Sequence, residues 1–418
     1  MNIKQMKDSK VDWLGKIPYD WEIGNIGQLY IERSEKVSDV DFPPLSVTMK
    51  GIVPQLSTAA KTDAHDDRKL VRKGDFAINS RSDRRGSCGI SSYDGSVSLI
   101  NTILTPREEM HPVYYNWLFH STMFSDEFYK WGHGIVNDLW TTNWQDMKKI
   151  SVPIPSYEEQ ELIADFLDAE CARIDSVIEK TRASIEEYKK LKQAIITQAV
   201  TKGIRPNRKM KSNQDRWTSF IPDNWECKKF KYIATVKSNL VSPDDYADYP
   251  QVSPESIEKG TGQLLPCKTV AEVGVISGNH LFFEGQILYS KIRPKLNKVA
   301  IAPFNGLCSA DMYPIETVLN KKFFVYALLS DTFLANIGLI TEDRVKMPKI
   351  NQEELASIQF AVPPEEEQYE IVEYLDKQCT NIDRLIFLKK NTVMELESYK
   401  KSLIYEYVTG KKGVRIVK

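Results

Sequence analysis

Long apolar runs are missing from this 418-residue chain: no stretch approaches the 18 or more residues of a membrane span, so no membrane partner is expected. Residues 1–8 contain no apolar core of a secretory signal, which makes the cytoplasm the expected location. Neither sign of charge is in excess. The 56 Lys and Arg against 57 Asp and Glu leave a net −1, so no global field draws the chain to nucleic acid or lipid, and any such affinity must be local. The six cysteines (Cys88, Cys171, Cys227, Cys267, Cys308, Cys379) never come within 40 residues of one another. That spacing builds neither a CxxC metal site nor a disulfide framework, and predicts reduced thiols packed mostly inside.

Catalytic signatures are equally scarce. There is no GxxxxGK[ST] phosphate loop, no HExxH and no GxSxG, and the five histidines (His65, His111, His120, His133, His280) lack ligand spacing. Asp41-Phe42-Pro43-Pro44 has the wrong order for the Asn/Asp-Pro-Pro-aromatic run of an amino-methyltransferase and reads as a turn. Glu226-Cys227-Lys228 has the form of a nuclease ExK, but the matching Glu22-Ile23-Gly24 lacks the lysine. No catalytic residue, metal ligand or bound cofactor is therefore assigned. Disorder is excluded too, because 42% hydrophobic and 27% charged residues are ordinary values for a chain that folds. The length predicts two to four domains.

What the chain does have is itself, twice. Trp13, Ile17, Pro18, Trp21 and Glu22 recur as Trp217, Ile221, Pro222, Trp225 and Glu226, each displaced by 204 residues. Gly74 and Asp94-Gly95 return as Gly285 and Asn305-Gly306 at a displacement of 211. Between residues 150 and 201 the displacement settles at 208, and 17 of 52 positions are identical, far above the handful that composition alone would give. A period near 205 residues is too long for a solenoid, whose repeats run roughly 20 to 50 residues. The duplicated unit is instead a two-part module. It begins with short β-like runs, such as residues 75–78 and 286–289, punctuated by Gly, Pro, Asn and Asp, and it ends in a segment of helical period. The expected division is a first mixed α and β domain (1–155), a helix (156–203), a basic linker (204–216), a second mixed domain (217–362), and a second helix with a basic tail (363–418). The fold class is α+β with an internal pseudo-twofold repeat.

The helical segments carry an apolar seam. Leu167, Cys171, Ile174, Ile178, Thr181, Ile185, Tyr188, Lys192, Ile195 and Ala199 alternate spacings of four and three, and the seam returns as Leu375, Cys379, Ile382, Ile386, Lys389, Val393, Leu396, Lys400, Leu403 and Tyr407. Each stripe can bury the other, and an antiparallel pair within one chain is the simplest solution. The alternative is that each helix packs on its own globular domain. Ser156 and Glu159 are spaced as a capping box. Residues 156–200 would extend to about 66 Å as an unbroken helix, and a break near residues 168–175 would shorten this ruler between two heads.

Positive charge gathers on turns. Residues 79–87 hold Arg81, Arg84 and Arg85, and the equivalent residues 290–298 hold Lys291, Arg293, Lys295 and Lys298. Cations neutralise phosphate, Ser and Asn add neutral donors, and Arg can read guanine through two hydrogen bonds. A solvated loop would explain either cluster alone, but recurrence at one structural place favours nucleic acid. A second pair of polar loops, 132–138 and 341–346, precedes each helical segment. From these come Asn137, Thr341 and Arg344 as candidates for base contact, together with Thr48.

These same residues carry a resemblance. The WxxxIPxxWE openings, residues 285–291 followed by Arg293-Pro294, the Glu-Glu-Gln helix starts, and the ends Val200-Thr201-Lys202-Gly203 and Val408-Thr409-Gly410-Lys411 resemble the specificity (S) subunit of a type I restriction-modification complex over nearly the whole chain. The resemblance implies two target recognition domains that each read half of a split site on double-stranded DNA. It also implies helices that hold them apart and dock two methyltransferase (M) subunits, with two restriction (R) motor-nuclease subunits joining for ATP-driven cleavage. The S subunit itself would be non-catalytic, and S-adenosylmethionine and ATP would sit on the partners, which methylate adenine. The first copy departs from the pattern, since residues 74–80 lack the Lys-x-Arg-Pro continuation of the second. Two other classes fit the same absences: a stand-alone DNA modification enzyme or nuclease with unrecognised motifs, and a coiled-coil scaffold.

Overall fold

The computed structural model describes residues 5–56, 66–135, 140–213, 219–344 and 346–414. The chain forms two compact units, Met1–Thr181 with Asn391–Lys418, and Arg182–Lys390.

In the first unit an antiparallel sheet runs in the order Cys88–Ile90, Phe76–Asn79, Asn101–Pro106, Tyr30–Glu32. In the second, Val299–Ile301, Ile287–Ser290, Met312–Thr317 and Ala234–Val236 repeat that order and direction. A smaller sheet of Gly95–Ser98, Arg68–Val71 and Lys36–Val37 likewise has its counterpart in Gly306–Cys308, Asn279–Phe282 and Leu240–Val241. The second unit adds Gln251–Val252 as a parallel edge strand, where the first has a lone parallel bridge from Pro44 to Ser96. Two helices follow each sheet, Pro112–His120 with Thr122–Lys130, and Lys321–Leu329 with Asp331–Ile340. The latter pair is bent by 58° and apolar, yet Phe323, Phe324, Leu328, Phe333 and Ile337 are buried in the core. Among the described residues no single helix is long and apolar enough to cross a membrane.

The repeated turn residues have a common physical cause. Gly74 and Gly285 both take positive φ (92° and 81°), a region that only glycine enters without strain. Across each turn the side chain of Asp94 or Asn305 accepts from a backbone N–H, that of Lys73 or Glu284, at 2.8 Å in both cases. Asp and Asn can substitute for one another here because only a side-chain oxygen is needed.

The two long helices are Tyr157–Lys202 and Glu365–Val408. The first helix runs through residues 168–175 without the break that would have shortened it. Leu167, Cys171 and Ile174 are buried there in one unbroken helix of 46 residues, about 69 Å at 1.5 Å per residue. The pairing is antiparallel within each unit. In the first, Phe166 stacks on Tyr407 at 4.4 Å and Lys400 binds Asp175 at 2.6 Å. In the second, Ile185 clusters with Ile382 and Ile386, and Lys192 binds Asp383 at 2.7 Å. Of the seam, Leu167, Ile174, Ile178, Ile185, Leu375, Ile382 and Ile386 are buried and Leu396 is half-buried against the first core. Near residue 195 the buried stripe shifts to Ile196, Ala199 and Val200, which join the second unit's core around Trp225. A straight helix of 3.6 residues per turn drifts from a seven-residue repeat by about 20° per heptad, and the head takes over where the partner helix leaves off. The helices therefore pack on heads as well as on each other.

Candidate nucleic-acid interface

Each basic turn leaves the strand that follows the repeated glycine. In the first unit Ser82–Arg84 form a short 3-10 turn, fixed from several sides. Arg81 N–H donates to Asn79 Oδ1 at 3.0 Å, Ser82 N–H to Trp140 O at 3.0 Å, and Ser87 N–H to Arg84 O at 3.0 Å, with Gly86 at φ 71° closing the bend. Its cations are arranged around acids. Arg81 Nε lies 3.2 Å and Arg84 Nε 3.6 Å from the two oxygens of Asp83. Arg85 pairs with Asp126 at 2.9 Å and lies over the Tyr129 ring at 5.1 Å. The turn and the helix Thr122–Lys130 enclose an open cleft of about 750 Å³ lined by Ser82, Asp83, Arg85, Asp126, Tyr129, Lys130 and Trp140.

The second turn reaches the same place by other means. Arg293 and Asn297 take left-handed conformations (φ 45° and 47°) on either side of the turn Pro294–Leu296. Arg293 N–H donates to Pro348 O at 2.7 Å, and the buried Asn297 amide donates to Leu328 O at 2.9 Å. Lys291 lies over the Tyr313 ring at 5.3 Å, while Arg293 and Lys295 are exposed. Lys298 is half-buried and commits a donor to Pro254 O at 2.6 Å. Four cations stand here with no acid between residues 290 and 298, against three arginines and one aspartate in the first turn.

The weaker candidates separate. Thr48 lies on the hairpin of Leu45–Thr48 and Gly51–Pro54, where its hydroxyl donates to Gly51 O at 2.8 Å. Asn137 lies outside the described residues. Thr341 does not face outward. It is 3% exposed and its hydroxyl donates to Ile337 O at 2.7 Å, which closes the end of helix Asp331–Ile340 instead of offering a base contact. Arg344 is engaged with Glu354 and the Lys349 carbonyl. The Arg344 hydrogen bond draws the Glu354 carboxyl below its ordinary range, so this pair ties the loop to the helix Gln352–Ser357.

The Glu-Glu-Gln helix starts prove to be locks, which the sequence pattern marks without revealing their partners. Trp21 Nε1 donates to Glu159 at 2.8 Å, and Trp225 Nε1 to Glu367 at 2.9 Å. Gln160 accepts from His111 N–H and donates to Pro155 O, and Gln368 does the same with Asn320 and Pro363. The expected capping box is half formed: Ser156 Oγ accepts from Glu159 N–H at 3.3 Å, while the Glu159 carboxylate turns to Trp21. Each unit thus carries its basic turn on a four-stranded sheet and has the opening of its module bolted to a long helix.

Burial pushes the Cys88 thiol up and the neighbouring His120 imidazole down, which leaves both neutral in the core. The six cysteines are unpaired, and four of them (Cys88, Cys171, Cys308, Cys379) are buried. Among the described residues no group of three or more His, Cys, Asp or Glu side chains gathers as a metal site.

Residues 18–187 and 222–397 each match the family described as the Type I restriction modification DNA specificity domain. The chain belongs to this family and carries its domain twice; it is a DNA specificity subunit of the type I restriction-modification class. It is 29% identical to the type I restriction enzyme EcoDI specificity subunit of Escherichia coli, over 95% of this chain and 89% of the relative. It is 23% identical to the putative type I restriction enzyme MjaX specificity subunit of Methanocaldococcus jannaschii, over 96% of both chains. Two solved structures share the fold. One, from work on complex assembly and conformational transition of the type I R-M system, superposes with a TM-score of 0.72 at 14% identity over 95% of this chain and 99% of the other. The other, the HsdS subunit from Thermoanaerobacter tengcongensis, has a TM-score of 0.51 at 15% identity over 95% and 98%.

Proposed function

We propose that this specificity subunit reads a two-part DNA site, one half with each unit, and docks two methyltransferase subunits, with two restriction subunits joining for cleavage. The observation that carries the reading is the repetition of one assembly in both units: the same four-stranded sheet, a basic turn leaving the same strand, and a Trp–Glu bolt to a long helix. Lys291, Arg293, Lys295, Arg81, Arg84 and Arg85 act on phosphate, which fixes register without reading sequence. The chain is the reader and not the catalyst. S-adenosylmethionine and ATP belong to the partner subunits, and adenine is the base methylated.

The test is to map methylated adenines in the source genome with and without this gene. A two-part motif with a fixed gap should vanish on deletion. Turnover by the purified chain alone, whether methyl transfer or cleavage, would overturn the reading in favour of a stand-alone enzyme. Failure of the assembled complex to bind any duplex would favour a scaffold.

A further inference from the structure

The first unit's basic turn contains one residue of the wrong sign for holding phosphate. Asp83 sits between Arg81 and Arg84, 42% exposed, with an arginine Nε on each of its carboxylate oxygens. Its backbone is held by the surrounding turn, and its side chain lines the open cleft whose far wall carries Asp126, Tyr129 and Lys130. A phosphate-gripping loop gains nothing from an aspartate at its tip, because a carboxylate repels phosphate and offers only acceptors.

A carboxylate does have a use in a DNA groove. In the major groove the hydrogen-bond donors on base edges are the exocyclic amino groups of cytosine and adenine, and Asp or Glu accepting from cytosine N4 is a recurring contact. We propose that Asp83 is a specificity-determining residue of the first half-site, accepting a hydrogen bond from the amino group of one base, cytosine before adenine. The inference rests on the DNA-reading role proposed above and deepens it. Arg81 and Arg84 offset the aspartate's charge locally, so it approaches DNA as part of a net cationic turn. They also flank its carboxylate, one at each oxygen, which restricts its rotation relative to an unpaired side chain.

The second unit provides an internal control. Its equivalent turn, residues 290–298, has no acidic residue, and the acid nearby, Asp311, is paired with Lys349 at 3.1 Å. An exchange at Asp83 should therefore alter one half-site and leave the other as it was.

The experiment uses the full chain assembled with its methyltransferase subunits and maps the methylated motif for the parent, Asp83→Ala, Asp83→Asn and Arg84→Ala, with a thermal melt of each. Asp83→Ala should relax one base pair of the first half-site, with discrimination there falling about tenfold, and leave the second half-site and the gap intact. Arg84→Ala should weaken binding to all sequences and, by releasing one oxygen of the Asp83 carboxylate, blur the same base pair while leaving the second half-site intact. Should Asp83→Ala melt far below the parent, Asp83→Asn, which keeps the shape of the residue, carries the test and should change or relax the same base pair. An unchanged motif in a stably folded Asp83 variant overturns the proposal, the more clearly if affinity for every duplex rises as the repulsive charge leaves. So does a change in the second half-site, since Asp83 would then act through the fold. In either case a surviving two-part motif leaves the proposed function standing, whereas a parent complex that methylates without such a motif overturns that function first.

Discussion

Trp225 donates its indole N–H to Glu367 at 2.9 Å, and this bond fastens the turn between the strands Phe220–Pro222 and Glu226–Lys229 to the start of the second long helix. Glu367 is 2% exposed and also binds Arg208, whose guanidinium lies over the Trp225 ring at 5.4 Å. Removing one member of such a buried group strands the others. Glu367→Ala is expected to cost about 3–5 kcal/mol, because Arg208 is left beside a lost counter-charge. The matching Glu159→Ala in the first unit removes the acceptor of Trp21 at a half-buried site and should cost about 1–3 kcal/mol. Denaturant unfolding of both variants measures the difference, and equal losses would show that the Arg208 contact adds nothing.

Glu367 also makes a pH prediction. Burial raises its pKa, but the hydrogen bonds from Arg208 and Trp225 outweigh burial and hold it below the ordinary carboxylate value. A group whose folded pKa is depressed contributes stability above its unfolded pKa, roughly 4.3, and loses that contribution as pH falls through the folded value. Unfolding midpoints followed from pH 7 down to about pH 3 should therefore drop more steeply for the parent than for Glu367→Gln. Parallel curves would mean the carboxylate is no more stable in the folded chain than in the unfolded one.

The sequence makes some of this legible and hides the rest for physical reasons. The doubled mixed domains, the two long helices and their seam follow from periodicity and from the repeat, since those depend on local spacing and on apolar faces such as Leu167, Ile174 and Ile382, whereas strand order does not. Partners distant along the chain leave no local trace. Glu159 and Glu367 read as helix-start acids, yet each is used 138 or 142 residues away. Polar loop residues are misread for a similar reason: Thr341 and Arg344 look available until Ile337 and Glu354 are placed against them. The partners of the acids near the start of the first helix were likewise hidden: Asp168 accepts from Trp117 and Asp175 from Lys400.

Lys192 and Lys400 occupy seam positions where an apolar residue would be expected, and each finds an aspartate on the facing helix, Asp383 at 2.7 Å and Asp175 at 2.6 Å. A polar residue within a helical seam specifies register at some expense of stability. A double-mutant cycle on Lys192 and Asp383 should give a coupling of about 0.5–1 kcal/mol, with less for the more exposed Lys400–Asp175 pair. Replacing Lys192 by Met should keep the helices paired while weakening the preference for one register, which cysteine cross-linking across neighbouring seam positions would detect. A coupling of zero in both cycles would reduce the pairs to surface decoration.

Salt dependence separates the cations that meet DNA from those that hold the fold. Binding of a protein that neutralises Z phosphates falls with salt at a logarithmic slope of about −0.9Z, so each lost phosphate contact should reduce the slope by about one. Between 50 and 200 mM salt that amounts to roughly a 3.5-fold change in affinity per contact. Lys291→Ala, Arg293→Ala and Lys295→Ala remove side chains that stand on the second unit's basic turn with no acid among residues 290–298. Each should lower the slope while leaving the order of preferred sequences unchanged. Arg344→Ala should leave the slope nearly unchanged, because its guanidinium is bound to Glu354 and to the Lys349 carbonyl and is held within the fold. Lys298→Ala is the intermediate case, with one donor on Pro254 O and the others available. The measurement is duplex binding by the assembled complex at four or five salt concentrations, on the cognate site and on a scrambled one. If Lys291→Ala changes which sequence is preferred, Lys291 reads a base, and the division of labour argued for this turn, phosphate contact first and base reading elsewhere, is wrong.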